Sequence, residues 1–301
     1  MELVATHWRL AAIAALFFFG IAARRSGVAG APQGRALLNF VFNIGLPILI
    51  FGALTGVPLA REHLLLPVTG VCTMLVGWAA AAAAARRFGL PATGTGALAL
   101  CAMSINVSMV YPFAALRFTP DLFAQLVMFD MGHAVMVWTL STVVACRYGG
   151  HTGDIPVLLK RALSAPPLWV LMLALTLNLA GAPIPRPWPQ GTLLAGQLCV
   201  LLVPLAMGLL VSARGMRRPE VLSAVALRSG LGALAGFEFG AWFGFEGATA
   251  HLAIVGAAAP VGFSAVVLSA REGLDLDLAA SAAAISVFLG SIWIPIAVAF
   301  V

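Results

Sequence analysis

Asp130 and His133, three residues apart in an otherwise uncharged stretch, are the pair whose types and spacing best suit proton handling. At helical spacing they share a face, so a carboxyl and an imidazole there can exchange a hydrogen bond or a proton. Asp130 lies nine residues past Asp121, about 13 Å along a helix. A carboxylate held that deep in hydrocarbon costs about 2.5–3.5 kcal/mol on insertion scales. Coupling to an ion or proton is one reading of the pair. The others are a neutral Asp130 that ties two helices together and direct contact of Asp130 with substrate. Glu238, in "GFEFGAWFG", is a further coupling candidate, although Gly236, Gly240 and Gly244 beside it read as a close-packing stripe from which it faces away. Arg228, ten residues past Arg218, can snorkel to the surface, pair with an acid, or attract a substrate carboxylate.

A second group suits anion binding. Asn106 and Pro112 lie in the apolar run Ala97–Leu116, and Pro260 and Ser264 lie in the run Ala248–Leu268. Proline in a membrane helix frees backbone groups that hydrocarbon cannot satisfy, so such a break persists only where protein or a watery cavity covers it. The half-helices beyond each break present N-terminal N–H groups and partial positive charge, which favour a carboxylate. Asn106 can satisfy freed carbonyls or bind substrate, and Ser264, one turn past Pro260, can line the same cavity. Interrupted helices at corresponding places in two halves are a sequence pointer to a transporter site.

The elements that must carry these residues are membrane helices. Of 301 residues, 61% are hydrophobic and 9% charged, with a mean hydropathy of +1.02. Soluble domains hold about 25% charged residues, so this composition excludes a water-facing globule. Ten spans are predicted: Val4–Ala23, Leu37–Leu54, Leu64–Ala85, Ala97–Leu116, Leu122–Ala145, Leu168–Ala180, Leu193–Val211, Val221–Phe243, Ala248–Leu268 and Ala279–Val301. A secretory signal peptide competes for the first, but Arg24 and Arg25 follow its apolar run rather than precede it. Twelve of the 17 basic residues fall in loops after spans 1, 3, 5, 7 and 9, which places those loops in the cytoplasm and both termini outside. The chain divides near "RYGGHTGDIP" into residues 1–150 and 151–301, five spans each, so the second half must be inverted. Pro47 in span 2 answers Pro204 in span 7, and Pro112 in span 4 answers Pro260 in span 9. The expected fold is an all-α integral membrane protein built as a five-plus-five inverted repeat, with broken helices 4 and 9.

The succession "LLNFVFNIGLPILIF", "SINVSMVYPFA", "FDMGHAVMVWTLS", "LVPLAMGLLVSARGM", "ALRSGLGALAG", "AAAPVGFSAVVLSAREGLD" and "AASAAAISVFLGSIWIPI" resembles the auxin efflux carrier family, with its bacterial malonate-type permeases. The resemblance lies in the order of segments over nearly the whole chain. It implies that helices 4 and 9 cross near mid-membrane in a transport domain that moves against a scaffold. Asn106 and Pro112 fall on the span 4 signature, Pro260 on span 9, and Trp138 on a span 5 position often aromatic in the family. Two departures stand out. Ser108-Met109-Val110-Tyr111 replaces a glycine-rich stretch, and Ala165 stands where an asparagine often precedes the span 6 proline.

Enzymatic motifs of the H-E-x-x-H, G-x-S-x-G and Walker A types are absent from the sequence, and the four cysteines make neither a metal pattern nor a disulfide framework. No cofactor is expected. The expected function is a secondary carrier of small organic anions, above all carboxylates, in the bacterial inner membrane. Its partners would be that anion, H+ or Na+, the lipid bilayer, and a second copy of the chain as a homodimer, with no nucleic acid. A sodium-coupled organic-anion symporter of the bile-acid-carrier type and a membrane sensor without flux are the alternatives.

Overall fold

The computed structural model describes residues 15–55, 64–110, 113–114, 117–149, 163–164, 166–185, 187–210 and 215–301. Nearly all of these are helical. Helix α1 (15–25) is the described end of the first expected span. Helix α2 (Ala31–Phe40) runs through a π turn, Val41–Gly45, into α3 (Leu46–Thr55). Pro47 lacks the N–H that would reach the carbonyl one turn back, inside that π turn, and so helps to open it. Helices α4 (Leu65–Phe88) and α5 (Ala92–Met103) follow. Helix α6 (Pro120–Met136) passes through a second π turn, Val137–Ser141, into α7 (Thr142–Tyr148), and Thr119 caps α6 by accepting from Leu122 N–H.

In the second half, α8 (Pro166–Leu179) precedes α9 (Pro187–Val200) and α10 (Leu202–Leu210). Pro204 has no N–H for the Val200 carbonyl, which accounts for the break at Leu201. Helix α11 (Pro219–Val225) continues through a third π turn, Ala226–Leu231, into α12 (Gly232–Trp242). Helices α13 (Gly247–Ala258), α14 (Phe263–Glu272) and α15 (Leu276–Ala299) complete the chain. Helix α15 bends by 43° near residue 291, where Pro295 cannot donate to the carbonyl one turn back.

Among the described residues, Ala31–Gly52, Leu65–Phe88, Gln125–Tyr148 and Pro219–Trp242 are each long and apolar enough to cross a bilayer, and the bent α15 makes a fifth. The chain is thus an all-α, multi-pass membrane protein. Several helices overrun their expected ends. Arg35 lies inside α2, Arg86 and Arg87 in the last turn of α4, and Arg147 in α7, whereas the charge pattern puts each in a loop. A long arginine stem stays helical while its charge reaches water, so the first arginine does not mark the helix end.

The helices pack in two groups. α2 and α3 lie against α8, α9 and α10, while α4 to α7 lie among α11 to α15. Between the groups, α14 touches α2, α10 touches α15, and the Val137–Ser141 turn touches α8. Packing without a hydrophobic drive favours small residues at the seams. A Cβ on Gly236 would press on the Ala253 carbonyl and the Ala257 Cβ, so α12 sits tight on α13 there. Gly244 is different from the expected stripe member: it has φ +73° and open space around it, and so serves a turn. At the start of α15, Asp275 caps the helix at Leu278 N–H (3.0 Å) and pairs with Arg218 (2.8 Å). Burial works against the Arg218 charge, but its bond and attraction to Asp275, with Glu220 and Asp277 adding to them, outweigh it and raise the guanidinium above its ordinary value.

Candidate functional site

Helix α5 is buried on every side from Gly96 to Met103, and the last turns of α13 are nearly as enclosed. A helix so surrounded cannot end without partners for its last carbonyls. Both end at the same place. The chain beyond α5 extends through Ser104, Ile105 and Asn106, and the chain beyond α13 extends through Ala259 to Gly262. Ile105 and Val261 form an antiparallel bridge, flanked by Asn106 N–H donating to the Pro260 carbonyl and Gly262 N–H donating to the Ser104 carbonyl, both at 2.8 Å. The two interrupted helices therefore cross through a two-residue scrap of β structure.

That bridge has local two-fold character, because exchanging residues 104–106 with 260–262 exchanges its two hydrogen bonds. It pairs Pro260 with Ser104. The expected correspondence of Pro112 with Pro260 involves a residue outside the described ones; Pro260 itself lies in the bridge.

The outward N–H groups of the bridge residues are satisfied from two other helices. Val261 N–H donates to Ser286 Oγ on α15 (3.0 Å). Ile105 N–H donates to His133 Nε2 on α6 (2.9 Å). Since a backbone N–H can only donate, Nε2 must accept, and the ring proton sits on Nδ1. Nδ1–H then faces Asp130 Oδ1 at 3.1 Å. His133 is buried and Asp130 is about a quarter exposed. The expected Asp130–His133 pair is thus one end of a chain that runs from a half-buried carboxyl to the backbone of the crossing. Ser286 carried no signal in the sequence, since one serine among small residues of an apolar helix looks like packing.

Arg228 lies in the third π turn and is only 1% exposed. It neither snorkels nor pairs with an acid among the described residues. Its Nη1 donates to the carbonyls of Ala102 (2.7 Å) and Met103 (3.4 Å), and its Nη2 donates to Ala257. These are the last carbonyls of α5 and the penultimate one of α13, so one guanidinium caps both half-helices. Its Nε is also buried and meets no acceptor among the described residues. A Cβ on Gly77 would overlap the Ala102 carbonyl oxygen, and one on Gly232 would overlap that of Ala257. Each glycine precedes its carbonyl by 25 residues.

The remaining candidates divide. Asn106 is buried in the crossing, and Pro260 is buried beside it. Ser264 is half-buried in the first turn of α14, whose N-terminal end starts at the bridge. Trp138 is buried in the second π turn, which touches both α5 and α8, so it stands between the two helix groups rather than at the crossing itself. Glu238 is not brought to the site. It is exposed on α12, whose inner face is Gly232, Ala235, Gly236 and Gly240. The helix presents its small residues to α13, which turns Glu238 outward.

No protein-family model matches the chain. It is similar to a protein of Methanothermobacter thermautotrophicus described as an uncharacterized transporter, with 29% identity over 293 residues and 93% of each chain covered. Its fold is similar to that of the sodium proton antiporter MjNhaP1 from Methanocaldococcus jannaschii, with a TM-score of 0.62, 12% identity and 99% of each chain covered.

Proposed function

We propose that this protein is a secondary transporter that carries small organic anions, chiefly carboxylates, by alternating access. The observation that carries the reading is the buried crossing at Ile105 and Val261, where the chain beyond α5 meets the break between α13 and α14 and where Asn106, the first turn of α14 and the Arg228 side chain converge. A broken helix offers unpaired N–H groups at a half-helix N-terminus, and these favour an anion. The likeness to a transporter over 93% of both chains supports transport as the activity. In this reading α4 to α7 and α11 to α15 move as a unit against α2, α3 and α8 to α10. The resemblance to auxin efflux carriers belongs to the same proposal.

The two halves form an inverted repeat. Support comes from the exchange symmetry of the bridge and from the matching intervals Gly77 to Ala102 and Gly232 to Ala257. In the same reading both termini lie outside the cytoplasm of an inner membrane, which the basic bias of the alternate loops supports. Proton coupling passes through His133 and Asp130, the titratable pair bonded to the crossing. The deciding experiment is uptake by sealed proteoliposomes across a panel of labelled mono- and dicarboxylates, with and without pH or sodium gradients. Saturable uptake of at least one carboxylate is expected. Movement of Na+ or H+ alone, with no carboxylate transported, would overturn the reading in favour of cation exchange.

A further inference from the structure

Among the described residues the Arg228 side chain is the largest that is fully buried, and its acceptors there are backbone carbonyls. Those carbonyls belong to two half-helix C-termini that converge on one point. Each helix C-terminus is equivalent to roughly −0.5 of an elementary charge, so two of them together call for about one positive charge. In broken-helix carriers, unwound carbonyls and half-helix C-terminal ends are the groups that coordinate a coupling cation. Here the Ala102, Met103 and Ala257 oxygens already receive guanidinium donors. Gly77 and Gly232 leave these carbonyls the room to be approached, because a side chain at either position would overlap them. No carboxylate among the described residues neutralises Arg228, so its charge is spent on the carbonyls and on the field at the crossing.

We propose that Arg228 is an intramolecular counter-cation, standing where a broken-helix carrier would otherwise hold a sodium ion, and that this carrier therefore works without one. The proposal rests on the reading of the crossing as the transport site. Arginine suits the role because its planar fork of donors reaches both half-helix ends at once. Truncation should empty a cation position lined by three carbonyls, which a small external cation can then fill.

The test measures thermal unfolding of the purified protein in detergent, without any organic anion, in sodium chloride against choline chloride of equal ionic strength. A second arm adds methylguanidinium at non-denaturing concentration. Wild type should have the same midpoint in both salts. Arg228→Ala should lose about 5–10 °C, from the loss of charge-assisted bonds to three buried carbonyls, and should regain part of it saturably with Na+ or methylguanidinium. Arg228→Lys should fall between the two and respond to neither. Saturable stabilisation of wild type by sodium would overturn the proposal, and so would an Arg228→Ala midpoint equal to wild type. If Arg228→Ala yields no folded protein, wild type and Arg228→Lys decide: a sodium response in either overturns the proposal, and none in both upholds it. Uptake with choline replacing sodium on both sides of the membrane separates the two claims. If no carboxylate moves while the thermal results stand, the anion reading fails and the counter-cation remains.

Discussion

The bond between Ile105 N–H and His133 Nε2 links the protonation of one side chain to the backbone of the crossing. Only the neutral imidazole can accept it. Protonation would set a second N–H against Ile105, breaking a 2.9 Å bond and leaving a buried backbone donor without a partner. That loss costs about 1–3 kcal/mol, or about 5- to 150-fold in the balance between an intact and an opened crossing. Asp130, 3.1 Å from Nδ1, offsets the cost by facing the new charge. At an effective dielectric near 20, opposite charges about 4 Å apart attract by roughly 4 kcal/mol, an upper bound for a carboxyl that is partly exposed. Of the elements packed against α6, α4 carries Cys72, Arg86 and Arg87 and α13 carries His251; among the described residues His133 bonds instead to Ile105 N–H and Asp130. Asp130→Asn should therefore separate two properties. The amide oxygen still accepts from Nδ1–H, so the neutral state and the fold persist, but the imidazolium loses its counter-charge. In proteoliposomes the variant should lose accumulation driven by an imposed pH gradient and keep exchange of labelled for unlabelled substrate. Full accumulation by Asp130→Asn would refute the coupling chain and return Asp130 to a structural role.

Three further outcomes follow from the same geometry. Asn106→Ala should weaken carboxylate binding by about 5- to 150-fold in a folded protein, measured by titration calorimetry; unchanged affinity would leave Asn106 as a satisfier of the broken backbone. Gly77→Ala should lower the unfolding midpoint by several degrees, since its methyl would overlap the Ala102 carbonyl that Arg228 caps, with overpacking costing about 1–3 kcal/mol. Glu238→Gln should change uptake less than about twofold, because an exposed charge far from the crossing contributes little. A large loss on Glu238→Gln would show that α12 faces the transport path.

Composition by itself determined that this chain lives in a membrane, because a surface with so few charges cannot be hydrated. The apolar runs placed most helices, and Asn106 and Pro260 pointed to the break regions because hydrocarbon tolerates polar or broken backbone only where something covers it. Asp130 and His133 were legible as a pair, being neighbours on one helix face. Their bond to Ile105 was not, since it joins residues 28 apart in sequence and depends on how α6 lies against α5. The same limit hid Ser286 and the equivalence of Ser104 with Pro260. Arg228 was visible as a costly buried charge, but its partners are backbone carbonyls up to 126 residues away, and every residue carries a carbonyl. Nothing in a sequence distinguishes the few carbonyls that a helix end leaves free; only the convergence of two half-helices selects them.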